Sequence, residues 1–370
     1  MAGTNRAVTI LADDLTGAAD AALPFARHRE TVIGLAGATP RVGDVRALSS
    51  ESRDVGPEAA RRRLAAAMPT PPPGSIFYKK VDSLLRGNTA RELAQTMAAT
   101  GARKAILAPA LPHLGRVVRH GFSCRPDGRR TDIGALLAEA SLGAAVVAAG
   151  DPDLAARIAA DPADVLIADA TTEGELRDLA AAALAAPEPP MLAGAHSFAA
   201  ALADLLHPPG RDRPRPTLPV DRVLLVLGSP NEVLRGQLRF LLARSGLPSF
   251  ALGEVPERPP ARLVLESIQA GAEPDGGAKA KALAAEVARL TARAEFDVLL
   301  CSGGAVAAAV CQALGVRELR LCGELGPGFP LAEPLQGQAP PLLGLRSGSF
   351  GAEPDLWQAY RRLGESRRPG

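Results

Sequence analysis

Short apolar runs alternate with longer Ala- and Leu-rich stretches along nearly the whole chain, and this alternation limits the fold more than any other feature. Strands are predicted over 7–12, 31–35, 45–49, 75–79, 104–108, 145–148, 165–168, 191–194, 222–227, 297–301 and 318–322. Helices are predicted over 16–27, 57–68, 89–100, 133–141, 152–160, 173–186, 197–206, 232–245, 279–293, 305–314 and 354–363. This alternation indicates an α/β fold with largely parallel sheets and crossover helices.

A proline-rich segment, residues 207–219, divides the chain. It reads HPPGRDRPRPTLP, and its five prolines exclude a regular helix or strand. A chain of 370 residues is long enough for about two domains. We therefore expect two α/β lobes, 1–206 and 220–370, with a ligand cleft between them, since clefts between domains are the usual ligand sites of such folds.

The overall charge and the cysteines exclude several classes of protein. Formal net charge is +2, from 42 basic and 40 acidic residues, which gives no sign of a nucleic-acid or membrane-surface binder. The four cysteines form no CxxC pair, so buried or free thiols in a reducing cytosol are expected. No apolar run reaches the ~18 residues that a membrane helix needs. We therefore expect a cytoplasmic protein with no membrane or nucleic-acid partner. The sequence does not fix the oligomeric state, and a homo-oligomer is one of the alternatives.

Two carboxylates end the first predicted strand. The segment ILADDLTG, residues 10–17, places Asp13 and Asp14 between that strand and a helix. A carboxylate there can accept a proton from a substrate hydroxyl or ligate a magnesium ion. The alternative, which rests on the capping preference of aspartate, is that Asp14 caps the helix and Asp13 is solvated.

A second polar loop reads YKKVDSLLRGN, residues 78–88, and also joins a strand to a helix. Its cations and its hydroxyl and amide groups suit a polyhydroxy carboxylate, which a bidentate arginine can hold. A charged surface loop is the alternative interpretation. Two weaker candidates follow other strands: Glu51-Ser-Arg53, and the proline-containing loop 108–116 with His113 and Arg116.

Three glycine-rich turns follow predicted strands or apolar runs in the second half of the chain. They are Gly228-Ser229, the segment CSGG at 301–304, and RSGSFG at 346–351. Such turns at helix N-termini let backbone N–H groups approach phosphates, so together they favour a nucleotide site. Neither a Walker A motif nor a GxGxxG fingerprint is present, which disfavours P-loop kinases, Rossmann dehydrogenases and protein kinases.

Taken together, these segments resemble the four-carbon acid sugar kinase family over essentially the whole chain. ADDLTGA at 12–18 is similar to its N-terminal signature, and KKVDSLLRGN at 79–88 is the most specific match. The resemblance implies an acid-sugar-binding domain over 1–206 and a nucleotide-binding domain over 220–370. It implies transfer of the γ-phosphoryl group of ATP, with Mg²⁺, to a terminal hydroxyl of a threonate, erythronate or oxo-tetronate.

Under this interpretation each motif receives a role. The predicted catalytic residues are Asp14 and Asp82, although the sequence does not say which of them is the base. The predicted acid-binding residues are Asp13, Arg53, Lys80, Asp82, Ser83, Arg86 and Asn88. The predicted nucleotide-binding residues are Ser229, Gly303, Gly304, Arg346 and Gly348. The ligands of the metal ion are left unassigned.

The second lobe departs from the family pattern. Residues 303–307 read GGAVA where the family has GGDTA, so two polar side chains are missing. This leaves two alternatives to the ATP-dependent kinase. One is a sugar-acid-binding protein with lost or altered kinase activity, and the other is a kinase with a different phosphoryl donor or acceptor.

Overall fold

A computed structural model describes residues 6–35, 38, 40, 43–206, 220–228, 231–267, 276–348 and 351–365. The proline-rich segment 207–219 and Ser229 lie outside these residues. Among the described elements, the predicted helices and strands are all present, with bounds that differ by at most three residues.

The described residues of the first half form eleven strands and seven helices. Its strands are β1 (Val8–Ala12), β2 (Thr31–Gly34), β3 (Val45–Ser49), β4 (Ile76–Lys80), β5 (Ala105–Ala108), β6 (Val117–Arg119), β7 (Phe122–Cys124), β8 (Arg130–Asp132), β9 (Ala144–Ala148), β10 (Val165–Asp169) and β11 (Met191–Gly194). Its helices are α1 (Leu15–Ala26), α2 (Pro57–Ala67), α3 (Thr89–Thr100), α4 (Ile133–Ala138), α5 (Leu154–Ala160), α6 (Glu173–Ala185) and α7 (His196–Leu206), with a 3₁₀ turn at Pro112–Leu114.

The second half repeats the pattern with fewer elements. Its strands are β12 (Val223–Leu227), β13 (Ser249–Ala251), β14 (Arg262–Glu266), β15 (Val298–Ser302), β16 (Glu318–Glu324), β17 (Pro330–Pro334) and β18 (Leu342–Arg346). Its helices are α8 (Glu232–Ser245), α9 (Gly276–Thr291), α10 (Gly304–Ala313) and α11 (Asp355–Glu365).

Fifteen strands form one sheet that runs through both lobes. Their order is β13-β14-β12-β15-β18-β17-β16-β2-β3-β1-β4-β11-β5-β10-β9. The lobes meet where β16 pairs antiparallel with β2, with Leu319 opposite Ile33. The parallel strands of the two lobes run in opposite directions, because three antiparallel pairings separate them. The expected largely parallel α/β architecture is confirmed, but the lobes share one sheet instead of holding one each.

Several elements were not predicted. Strands β6, β7 and β8 form a separate three-stranded antiparallel sheet, and each has only three residues, too few to show a periodic pattern. Strands β13, β14, β17 and β18 were also missed. The sequence TARE at 89–92 also has the spacing of a capping box, which predicts Thr89 as the cap of α3; this prediction is wrong, because Asn88 is the cap residue and the Glu92 carboxylate accepts hydrogen bonds from Ser52 and Lys79.

Helix α1 links the lobes and positions the site. All but two of its twelve residues are buried, and it packs against β1 and β3 on one side and against β16 and α10 on the other. Ion pairs between Arg27 and Glu324 at 3.5 Å and between Arg320 and Glu30 at 3.3 Å flank this junction. The N-terminus of α1 therefore lies in the cleft between the lobes.

Candidate active site

The two carboxylates after β1 occupy the two residues between that strand and α1. Asp14 is the N-cap of α1: its Oδ1 accepts a hydrogen bond from Gly17 N at 2.7 Å, and its Oδ2 accepts one from Thr16 Oγ1 at 2.7 Å. The expectation that Asp14 caps the helix is thus confirmed, but the accompanying expectation that Asp13 is solvated is wrong, because Asp13 is buried and paired with Arg53. The Asp14 side chain also lines the cleft, so the cap and the candidate site coincide.

Arg53 joins the two carboxylates. Its Nε and Nη2 donate to Asp13 at 2.8 and 2.6 Å, and its Nη1 and Nη2 donate to Asp14 at 2.7 and 2.8 Å. A carboxylate oxygen of Asp82 lies 4.0 Å from Nη1. The structure therefore brings Asp13, Asp14, Arg53 and Asp82 together from three separate loops, as the sequence predicted.

The two neighbouring carboxylates titrate differently. Burial would raise the pKa of Asp13, but the charge and hydrogen bonds of Arg53 outweigh burial and lower that pKa below its ordinary value. Burial also raises the pKa of Asp14, and there it outweighs the charge of Arg53, with a further rise from the Asp13 charge. Asp14 is consequently the better proton acceptor of the two.

The adjacent lysines of β4 point to opposite sides. Lys79 is buried and pairs with Glu92 at 2.8 Å, away from the cleft. Lys80 lines the cleft and is 5% exposed, and its Nζ donates to the carbonyl of Val81 at 3.0 Å. Among the described residues, no carboxylate oxygen lies within 4.0 Å of Lys80 Nζ. The charge of Lys80 acts on Asp13, Asp14, Asp20 and Asp82 without direct contact. Its ammonium therefore keeps donors that would bind an oxygen of a ligand in the cleft.

Asp82 organises the loop that follows β4. Its carboxylate accepts hydrogen bonds from the backbone N–H groups of Leu84 and Arg86 and from the Arg86 guanidinium at 2.8 and 2.9 Å. Burial would raise the pKa of Asp82, but the hydrogen bonds of Arg86 and the charge of Arg53 hold it well below its usual range. Asp82 therefore stays ionised and is a weak base.

The other predicted acid-binding residues differ in position. Ser83 lines the cleft and accepts a hydrogen bond from Arg116 Nη1 at 2.6 Å. Arg86 is partly exposed beside it. Asn88 does not line the cleft; its Nδ2 donates to the carbonyls of Ser52 and Val55, so it ties together two loops.

The second lobe contributes the start of α10. Gly303 precedes this helix and has a backbone φ of +111°, which residues other than glycine rarely adopt. Its N–H donates a hydrogen bond to the carbonyl of Arg346 at 2.8 Å. A β-carbon placed on Gly304 would lie 2.7 Å from Asp14 Oδ2. The free N–H groups of the first turn of α10 thus lie beside the carboxylate that caps α1.

Arg346, at the end of β18, is 1% exposed. Its Nη1 donates to Gln237 Oε1 at 2.9 Å, and its Nη2 lies 3.4 Å from Asp355 Oδ2. These contacts tie β18 to α8 and α11, and they indicate a structural role for this side chain. Gly348 follows two residues later and is buried, beside Ser347 of the cleft.

The cleft between the lobes also contains residues that the sequence analysis did not select. From both lobes together it is lined by Asp14, Thr16, Gly17, Asp20, Arg53, Lys80, Asp82, Ser83, Leu111, Ala195, His196, Gly328, Pro330, Leu345 and Ser347. Of the unselected residues, Thr16 and Asp20 lie four residues apart on one face of α1, and this spacing is a signal that could have found them. His196 follows the end of β11, as the other polar segments follow their strands.

The described residues contain no cluster of three or more His, Cys, Asp or Glu side chains arranged to hold a metal ion. Mg²⁺ is commonly held by one or two carboxylates together with substrate phosphates. Asp14 fits such a partial site, since it faces α10, although both its oxygens already accept hydrogen bonds from Arg53.

Comparisons with known proteins match both lobes. A family of sugar-binding N-terminal domains matches residues 8–130, and a family of nucleotide-binding C-terminal domains matches residues 256–356. The chain is 31% identical to a D-threonate kinase of Cupriavidus necator, over 97% of this chain and 99% of the relative. It is 29% identical to a 3-oxo-tetronate kinase of the same species, over 96% of each chain. Both relatives are named as kinases, so the alternative of a binding protein without kinase activity receives no support.

Among solved structures, a Salmonella typhimurium LT2 protein superposes with a TM-score of 0.72 at 20% sequence identity, over 96% of this chain and 98% of the other. This similarity supports the fold. A search of the described helices for one long and apolar enough to cross a membrane finds none.

Proposed function

The chain belongs to the four-carbon acid sugar kinase family and is a sugar acid kinase, and from this premise we propose that it transfers the γ-phosphoryl group of ATP to the terminal hydroxyl of a four-carbon sugar acid. In this proposal residues 1–206 bind the acid and residues 220–370 bind the nucleotide. The chemistry is supported by one observation above all, the approach of Asp14 to the N-terminus of α10.

This approach suits phosphoryl transfer. A helix N-terminus binds phosphate through its free N–H groups and its dipole, so the first turn of α10 is the natural position for the γ-phosphate. Asp14 lies beside it on the acid side of the cleft. Phosphoryl transfer requires mainly positioning and charge stabilisation. A hydroxyl held in the cleft beside Asp14, near the N-terminus of α10, would be aligned for attack, with Asp14 taking its proton.

The backbone supplies the phosphate contacts. The N–H groups of the first turn of α10, which begins at Gly304, and those near Gly348 need no polar side chain, which is why the GGAVA sequence at 303–307 is compatible with nucleotide binding. The part played by Ser229, outside the described residues, stays a prediction. When bound, Mg²⁺ would neutralise charge on the phosphates, and Asp14 is the side chain of this cleft that would contact it.

The cations of the cleft explain the choice of an acid. Among the described residues, Lys80 Nζ makes no ion pair within 4.0 Å and donates to the carbonyl of Val81, so its remaining donors would bind an anionic substrate. Ser83 and Arg86 belong to the loop that follows Lys80, and they would bind further oxygens of the substrate. Arg53 donates four hydrogen bonds to Asp13 and Asp14 and would act by holding both carboxylates in place.

The test is ATP-dependent phosphorylation of a small panel. The purified chain is incubated with ATP and Mg²⁺ and with D-threonate, D-erythronate or 3-oxo-tetronate, and both ADP and the phosphorylated acid are measured. Threitol, which has the same carbon chain without a carboxylate, serves as the control acceptor. We expect turnover of at least one acid and little of threitol. Absence of turnover with all three acids would contradict the proposal.

A further inference from the structure

His196 lines the cleft together with the cations Arg53 and Lys80, and it is held in one orientation. It lies at the first residue of α7, directly after β11. Its Nδ1 is 2.8 Å from the carbonyl oxygen of Asp20 and 3.1 Å from Asp20 Oδ1. Both contacts use the same ring nitrogen. The opposite nitrogen, Nε2, has no hydrogen-bond partner among the residues that the structure describes.

The surroundings of His196 keep it protonated near neutral pH. Burial alone would lower the pKa of His196, but the charge and hydrogen bonds of Asp20 outweigh burial and raise that pKa to about 9. The titratable and charged groups around the pair are Asp20 on α1, Lys80 and Tyr78 on β4, His113 on the 3₁₀ turn and Glu173 on α6. Glu173 is engaged by His113 and by Ser197, which leaves Asp20 as the counter-ion of His196.

His196 lies where the carboxylate end of a four-carbon acid would bind if its terminal hydroxyl were beside Asp14. Asp20 lies six residues after Asp14 on α1, which is about 9 Å along the helix axis. The reacting hydroxyl belongs beside Asp14, because α10 approaches there. In a four-carbon acid the carboxylate and the terminal hydroxyl are at opposite ends of the chain. The carboxylate would then lie toward Asp20 and His196, with Lys80 between the two ends.

We propose that His196 recognises the substrate carboxylate through Nε2, and that Asp20 is the positioning residue that orients it. This inference rests on the proposed function, since it assumes that the acid binds with its hydroxyl at Asp14. His196 presents a cationic donor at the carboxylate end, and Lys80 adds a second positive charge to the same cleft. The pair would make the cleft select acids over neutral polyols of the same length.

The experiment measures binding without turnover, so that it can be separated from the kinase assay. Calorimetry compares D-threonate with its neutral amide, D-threonamide, on the wild-type chain and on His196→Gln at pH 7.5. A hydrogen bond to a charged group corresponds to about a 10- to 100-fold change in affinity. We expect His196→Gln to weaken D-threonate binding by this factor and to leave D-threonamide within about threefold.

Asp20→Asn supplies the measurement that a merely structural role would not change. Without the Asp20 charge, burial is the largest remaining influence and lowers the pKa of His196, so the ring is neutral at pH 7.5 and gains its proton only at lower pH. The preference for acid over amide should therefore be lost at pH 7.5 and recover as the pH is lowered. In the wild type it should stay constant over the same change in pH.

His113→Gln is the matched control, because its ring lies 6.3 Å from that of His196 and pairs with Glu173 instead. It should leave the acid-to-amide ratio unchanged. The inference is overturned if His196→Gln weakens both ligands equally, if wild-type chain binds no D-threonate, or if Arg116→Gln removes the preference for the acid while His196→Gln keeps it. A failed kinase assay with intact, His196-dependent binding would contradict the proposed function alone.

Discussion

Asp14 and Gly304, from opposite lobes, approach so closely that no side chain fits between them. A β-carbon on Gly304 would lie 2.7 Å from Asp14 Oδ2 and 3.1 Å from Thr16 Oγ1. Real β-carbons essentially never come within 3.0 Å of another heavy atom, and Asp14 is held by four hydrogen bonds. The absence of a side chain at residue 304 is therefore required by the closed cleft, and not only by phosphate binding.

Replacing Gly304 with alanine should consequently impair catalysis more than folding. The added methyl group must displace Asp14 or separate α10 from α1, and a displacement of about 1 Å in an aligned site can cost about 10²-fold in rate. We expect Gly304→Ala to lower kcat for the best acid of the panel by about 10- to 100-fold. Gly236→Ala is the control, since a β-carbon there meets only the Glu353 side chain at 3.6 Å. An unchanged kcat in Gly304→Ala would show that the two lobes do not close on Asp14 during the reaction.

Arg346 provides a second test, because its buried contacts indicate a structural role where the sequence predicted a nucleotide contact. Arg346→Lys keeps the charge but cannot reach both Gln237 and Asp355, and loss of a hydrogen bond to a charged group costs about 1.5–3 kcal/mol. We expect a lower melting temperature and a KM for ATP within about threefold of the wild type. A tenfold rise in the KM for ATP at an unchanged melting temperature would instead assign Arg346 to the nucleotide site.

The sequence predicted the elements well wherever apolar periodicity was long. The bounds of α3 over 89–100, of α8 over 232–245 and of β3 over 45–49 agree with the structure to the residue. The joining of both lobes into one sheet was not predictable, because the pairing of β16 with β2 connects residues nearly 290 positions apart. Local patterns carry no information about such a distant contact.

The site was predictable as a set of residues but not as a network. The loops after β1, β3 and β4 were selected because polar residues follow apolar strands, and Asp14, Arg53 and Asp82 do converge. The sequence did not show which of these residues contact one another. Strand alternation predicts that Lys79 and Lys80 point to opposite faces of the sheet, but not which of them faces Glu92 and which the cleft. His196 was missed because an isolated histidine has no sequence pattern.

Glu51 allows a prediction about stability. It has a positive φ of +50°, its carboxyl accepts a hydrogen bond from Ser49 Oγ at 2.5 Å, and burial raises its pKa to about 7. The folded state thus retains a proton that the unfolded state has released above pH ~4.5, so this group lowers the free energy of unfolding as pH rises from about 4.5 to 7. We expect Glu51→Gln to gain stability over the wild type, by about 1–3 kcal/mol at pH 8 and much less at pH 5.

Thermal or urea unfolding at pH 5 and pH 8 measures this difference. Glu58→Gln is the matched control, because Glu58 is exposed and paired with Arg61 on the surface. The difference in free energy of unfolding between Glu58→Gln and the wild type should be the same at pH 5 and pH 8. If the difference between Glu51→Gln and wild type were the same at both, the Glu51 carboxyl would not titrate in this range.

The last prediction separates the two candidate bases. Asp14 faces α10 and has a raised pKa, whereas Asp82 accepts hydrogen bonds from the backbone and side chain of its own loop and has a strongly lowered one. Removing a general base costs about 10²–10⁴-fold in rate. We expect Asp14→Asn to lower kcat by that factor with little change in melting temperature. Asp82→Asn should instead raise the KM for the acid and lower the melting temperature, with kcat within about tenfold of wild type.

The pH dependence gives an independent check on this assignment. If Asp14 takes the proton of the attacking hydroxyl, kcat/KM of the wild type should fall as pH drops through the Asp14 pKa, and this acid limb should be absent from the residual activity of Asp14→Asn. Asp82→Asn should retain the limb, because Asp14 still titrates in that variant. The opposite pattern, with the limb lost in Asp82→Asn and kept in Asp14→Asn, would make Asp82 the base and reduce Asp14 to a helix cap at the mouth of the nucleotide site.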